Sequence, residues 1–118
     1  MGARSAVVGC AGWSVPRTHA ALFGEGDSAL MRYATRFPVV EINTSFYRPH
    51  RRETYARWAA AVPRTFRFSV KLPRTISHEA RLRGVGPLLD RFLEETAGLG
   101  NRLGGYLLQL PPSLALDM

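Results

Sequence analysis

Glu41 and Asn43 sit inside the apolar run "VVEIN" (39–43), and Lys71 sits inside "FRFSVKL" (66–72). Gln109 interrupts a third run, "GYLLQL" (105–110). A carboxylate and an amine held in a core can exchange protons with a ligand, and carboxamides can orient it. Lys71 is the only lysine among sixteen basic residues, so it marks a place where a guanidinium does not serve. A desolvated lysine can act as an acid, a base or a Schiff-base nucleophile. The plain alternative is an interior ion pair, Glu41 with Lys71 or Arg67, that neutralises buried charge and does no chemistry.

Further candidates follow the runs directly. Trp13 comes after "GCAG", which is neither a Walker loop nor a GxGxxG turn, so it can be a core aromatic or a stacking platform. Phe46 and Tyr47 can wall a flat or sugar-like ligand, and Arg48 can grip a carboxylate or phosphate. His50, Arg51 and Arg52 lead into a helix and can hold an anion or form a solvated loop. His78, after "RTIS", can carry a proton at the rim. His19, His50 and His78 show no ligand spacing, so no metal site is expected from these residues alone; a missing half could still supply ligands, and the cofactor is unknown.

Four strands must position these residues: "AVVGC" (6–10) and the three runs above. Helical segments lie between them. Asp27 or Ser28 can cap "ALMRYATRF", whose stripe is Leu30, Tyr33, Ala34 and Phe37, with Pro38 as the stop. "ETYARWAAAV" aligns Tyr55, Trp58, Ala59 and Val62. "GPLLDRFLEETAGLG" aligns Leu88, Leu89, Phe92 and Leu93, with Pro87 in its first turn. "RLRGVG" (81–86) is a loop. Strand starts recur about every 33 residues, the size of one βα unit, so the order is β-α-β-α-β-α-β with parallel strands.

Side chains alternate along a strand. Val40 and Ile42 therefore oppose Glu41 and Asn43. Phe66, Phe68, Val70 and Leu72 oppose Arg67, Ser69 and Lys71, and Tyr106, Leu108 and Leu110 oppose Leu107 and Gln109. One sheet face is apolar and the other polar. A doubly wound sheet needs two apolar faces; a (β/α) barrel is covered only outside and tolerates polar groups inside near its C-terminal strand ends. The expected fold is α/β, an incomplete half of a TIM-type (β/α)8 barrel. Residues 1–118 form a single partial domain of about four strands and three helices.

"VGCAGWS", "VEINTSFYR", "FRFSVKLPRTISH" and "LLQLPPSL" occur in this order. In these four motifs the chain resembles the N-terminal half of the domain-of-unknown-function-72 family. The resemblance covers nearly the whole sequence and implies a TIM-type barrel about twice as long, with no established reaction. An eight-stranded barrel takes about 250 residues, so the chain is expected to be a fragment, with a natural half-barrel that pairs with a partner as the alternative.

Composition narrows the classes. With 46% hydrophobic residues and no long apolar run, the chain is an ordinary globular one with no membrane span. Its first residues lack a signal-peptide core, and "MGARSA" misses the myristoylation pattern at Ala6, so a cytoplasmic location is expected. Cys10, the one cysteine, reads as a small buried thiol. The net charge of +7 attracts anions, nucleic acid included, but no nucleic-acid-binding signature is present.

Three readings of function remain. The first is an enzyme acting on a small polar or anionic molecule at the C-terminal strand ends. In it Glu41, Lys71 and His78 are catalytic, and Trp13, Asn43, Phe46, Tyr47, Arg48 and Gln109 contact substrate. The second is nonspecific binding of nucleic acid or nucleotides. The third is an inactive fragment. Three apolar side chains on the outer face of the last strand, Tyr106, Leu108 and Leu110, lack a covering helix, which leads us to expect self-association.

Overall fold

The computed structural model describes residues 7–14, 17–79 and 83–111. Four strands, β1 (Cys10–Ala11), β2 (Val39–Ile42), β3 (Arg67–Lys71) and β4 (Leu103–Leu107), form one sheet in sequence order, and every pairing is parallel. Three α-helices connect them: α1 (Ala29–Tyr33), α2 (Arg52–Ala60) and α3 (Gly86–Thr96).

Each helix starts and stops for local reasons. Ser28 is extended, and its Oγ accepts from the Met31 N–H at 3.2 Å, capping α1. Pro87 occupies the first turn of α3, where its missing N–H costs nothing. Beyond α3 a 3-10 segment, Ala97–Arg102, is broken at Gly100, whose φ of 54° suits a residue without a Cβ and turns the chain into β4.

The alternation in the strands decides the layers. Val40, Ile42, Phe66, Phe68 and Val70 are all buried, and together with Leu30, Tyr33, Tyr55, Phe92 and Leu99 they form the core between the sheet and its helices. Each such side chain contributes roughly 1.5–3 kcal/mol when removed from water. Glu41, Arg67, Ser69 and Lys71 lie on the opposite face and are half-buried. The register confirms the division: Glu41 pairs with Ser69 and Ser69 with Gly105, while Lys71 pairs with Leu107.

Two hydroxyls tie strands to the helical layer. The Tyr33 hydroxyl donates to the Val39 carbonyl at 2.7 Å and accepts from the Cys10 N–H at 2.8 Å, joining β1 to β2. Burial pushes that phenol up to about 12. The Tyr106 hydroxyl lies 2.7 Å from Thr96 Oγ1, and its ring packs on Phe92, so Tyr106 faces the helices as alternation requires.

Several expectations need correction. β1 pairs only at Cys10 and Ala11; Val7 and Val8 are exposed, and Ala6 lies outside the described residues. Cys10 is exposed rather than buried, because β1 is an edge strand. β4 begins two residues before the expected 105 and ends three before 110. An irregularity between Phe68 and Ser69, opposite Leu103 and Gly105, shifts its register, and Gly104 there approaches the Arg67 side chain. Because β4 ends at Leu107, opposite the end of β3, Gln109 lies past the strand end and is exposed, outside the polar face. In α3, Leu88 and Leu93 are exposed; the stripe that packs inward is Leu89, Phe92 and Thr96, continued by Leu99. Part of the expected 81–86 loop, residues 81 and 82, falls outside the described residues.

Candidate functional site

The C-terminal end of β2 runs directly into a 3-10 turn, Thr44–Phe46, with Asn43 as its first flanking residue. Ser45 fixes that turn. It is buried, and its Oγ donates to the Lys71 carbonyl at 2.6 Å, with the Ile42 carbonyl a longer alternative at 3.2 Å. This bond latches the β2 loop onto the end of β3 and brings Phe46 over that strand.

Phe46 is the hub of the first cluster. Lys71 Nζ lies 4.2 Å from its ring centroid, a cation–π contact. The Tyr47 ring meets it edge-on at 5.0 Å, as does the His78 ring. His78 sits in a π-helical turn, Thr75–Glu79, that follows β3, and its Nδ1 lies 2.8 Å from Ser77 Oγ. Tyr47 is 71% exposed, so this wall faces solvent. Lys71, Phe46, Tyr47 and His78 are thus gathered at one strand end.

Glu41 shares the sheet face of Lys71, one diagonal step back on the neighbouring strand. Among the described residues neither takes part in an ion pair; the ion pairs present join Arg74 to Glu79 and Arg91 to Glu95. Arg67 turns away from the group, donating to the Arg64 and Phe66 carbonyls at 2.7 and 2.9 Å. Beside Glu41 a shallow cavity of about 230 Å3 opens between Cys10 and Ser69.

A second cavity, about 300 Å3, lies over the ends of β1 and β2 and is lined by Trp13, Asn43, Thr44, Arg48, His50 and Trp58. Trp13 does not stand free. It meets Trp58 edge-on at 5.0 Å and Phe68 at 6.3 Å, so it is a core aromatic with one side on the cavity. His50 Nε2 lies 2.7 Å from Thr44 Oγ1, and its ring rests against Tyr55 and Trp58. Burial and the neighbouring Arg48 guanidinium both hold the His50 imidazolium below its ordinary range. Arg48 also lines an apolar groove of about 160 Å3 between Phe46, Leu88 and Phe92.

Sequence reasoning missed Thr44, Ser45 and Trp58, and placed His50 only in an anion-holding or solvated loop. The signal for Thr44 and His50 was a hydroxyl and an imidazole six residues apart in one loop; nothing local announces Ser45, whose partner is 26 residues away. Among the described residues no group of three or more His, Cys, Asp or Glu side chains could hold a metal ion, and no helix is long and apolar enough to cross a membrane.

A parallel sheet with helices on one face, polar side chains on the other and loop residues converging at its C-terminal end is the arrangement of a partial (β/α) barrel. The model of the family described as protein of unknown function DUF72 matches residues 7–118, and the chain belongs to that family. It is 42% identical over 86 residues to the UPF0759 protein YecE of Escherichia coli strain K12, a match covering 73% of this chain and 32% of that protein. The protein of the same name from E. coli O157:H7 matches equally. Two crystal structures of a DUF72 family protein from Enterococcus faecalis V583 are similar at 31% identity. Their TM-scores are 0.64 and 0.68, covering 75% and 84% of this chain and 38% of those chains. The chain therefore spans about a third of the length of the relatives it matches.

Proposed function

We propose that the C-terminal end of this sheet is an enzyme's site for a small polar or anionic molecule. One observation carries the reading: Lys71, half-buried, is held over Phe46 and has no carboxylate partner among the described residues. An interior ion pair with Glu41 would have been the structural explanation of both residues. A cation fixed in place without a counterion is instead ready for an anion. Glu41, on the same face, is the proton carrier; His78 and Tyr47, around Phe46, complete the wall, and Arg48, which lines the groove beside Phe46, binds from the β2 loop.

The test is titration of the protein with inorganic phosphate and with malonate at constant ionic strength, followed by amide chemical shifts. A charge about 4 Å away is worth about 4 kcal/mol at an effective dielectric constant of about 20. Lys71→Met should weaken binding at least tenfold and Lys71→Arg less. Unchanged affinity in Lys71→Met would remove the reading. A second reading, nucleic-acid binding, draws on the exposed arginines Arg48 and Arg51 before α2 and Arg52 at its start. It predicts oligonucleotide affinity that falls steeply with salt and ignores Lys71→Met.

A further inference from the structure

The cavity over β1 and β2 contains a pair that the Lys71 cluster does not use. Thr44 Oγ1 and His50 Nε2 are 2.7 Å apart, within the range of a nucleophile and its base. Thr44 is exposed, so a substrate can reach its hydroxyl, while His50 is half-buried. Tyr55 and Trp58 pack edge-on around the imidazole at 5.7 and 5.2 Å and fix its plane. Their shielding, with Arg48 alongside, keeps the ring neutral at neutral pH, the form that accepts a proton. The remaining walls suit a small acyl compound: Trp13 and Trp58 are apolar, and Asn43 and Arg48 supply N–H donors.

We propose that Thr44 and His50 form a nucleophile–base pair that accepts the acyl group of small esters. In the first half, Thr44 Oγ1 bonds to the ester carbonyl carbon as its proton passes to His50 Nε2. The carbonyl electron pair moves to oxygen, facing Asn43 and Arg48. When the intermediate collapses, the C–O bond to the alcohol breaks, and the departing oxygen takes the proton from Nε2. In the second half, a water gives a proton to Nε2 and bonds to the acyl carbon. The Thr44 ester bond breaks, Thr44 recovers the proton, and a carboxylic acid leaves. The proposal depends on reading this strand end as a ligand site, but not on Lys71. Loss of the phosphate titration therefore leaves it standing, and its own failure leaves Lys71 untouched.

The probe is p-nitrophenyl acetate. The protein should release about one equivalent of p-nitrophenolate per chain in a burst, and peptide mapping should find the acetyl group on Thr44. Thr44→Ser should keep the burst, and Thr44→Val should abolish it. His50→Gln should slow acylation at least 100-fold, as loss of a general base does. The burst rate should fall as pH drops and His50 protonates. Circular dichroism checks that each variant is folded; Thr44 is exposed, so its substitutions leave the core intact. No burst, an acetyl group only on Lys71 or another residue, or equal rates in Thr44→Val would each overturn the proposal.

Discussion

Replacing Ser45 with alanine tests whether the site is held by one buried hydrogen bond. A hydroxyl has one proton, so Ser45 donates to the Lys71 carbonyl at 2.6 Å, and the 3.2 Å contact to Ile42 is only an alternative. A typical bond of this kind contributes about 1 kcal/mol net, and a carbonyl left unpaired in a buried place costs about 1–3 kcal/mol. Ser45→Ala also leaves a gap of one oxygen under a fully buried side chain. A loss of about 1–3 kcal/mol follows, read as a lower urea midpoint with an unchanged slope. The latch also brings Phe46 to Lys71, so the ring-current shift on the Lys71 side-chain methylenes should shrink. Ser77→Ala is the comparison: its Oγ is equally buried, but its short contact, 2.8 Å, is to the half-buried His78 Nδ1, and the Pro73 carbonyl is 3.5 Å away, so its loss frees an imidazole and not a strand-end carbonyl. If Ser45→Ala costs much less than about 1 kcal/mol, or leaves the Lys71 shifts in place, the loop is held by packing and the latch argument is wrong.

Two further outcomes are expected. Since His50 has a lower pKa in the folded chain than its ordinary 6.5, the unfolded chain binds the extra proton first. Its contribution is fully present above about pH 6.5 and is lost as pH falls from there toward the folded value; urea midpoints at pH 8 and pH 5 should therefore differ more in the native chain than in His50→Gln. Tyr106, Leu108 and Leu110 remain 39%, 43% and 37% exposed, and covering each is worth on the order of 1 kcal/mol, so sedimentation over a dilution series should show self-association that Leu108→Glu weakens. A monomer at every concentration would mean that these side chains tolerate water.

The strands were legible where their pattern is local. Alternation has a period of two, so reading Val40, Ile42, Phe66, Phe68 and Val70 as one face required no knowledge of the partners, and the register agrees. β4 was misplaced because its register depends on an irregularity opposite Gly104, and no pattern within "GGYLLQL" reveals what the neighbouring strand does. Gln109 left the polar face for a different reason: β4 ends at Leu107, opposite Lys71, the last residue of β3. α3 was misjudged for a related reason: leucine at 88 and 93 satisfies helical spacing, but which side faces the sheet is set by Thr96 and Leu99, the first hydrogen-bonded to Tyr106 and both carried past the point where the stripe was drawn.

The candidate site was legible in its strands and only in part in its loops, where Phe46, Tyr47 and His78 stood out and Thr44 and Ser45 did not, and the physical reason is range. Glu41 and Lys71 advertise themselves because each is a charge where apolar side chains are expected. Thr44, Ser45 and His50 lie in a stretch whose composition is that of any surface loop; what separates them from solvated residues is a carbonyl 26 positions away and the rings of Tyr55 and Trp58 on the next helix. Nor could the sequence decide between an ion pair and an uncompensated lysine. Parity puts Glu41 and Lys71 on one face in either case. The choice turned on Phe46, which a buried serine swings across the end of β3, so that the lysine meets an aromatic face instead of the carboxylate.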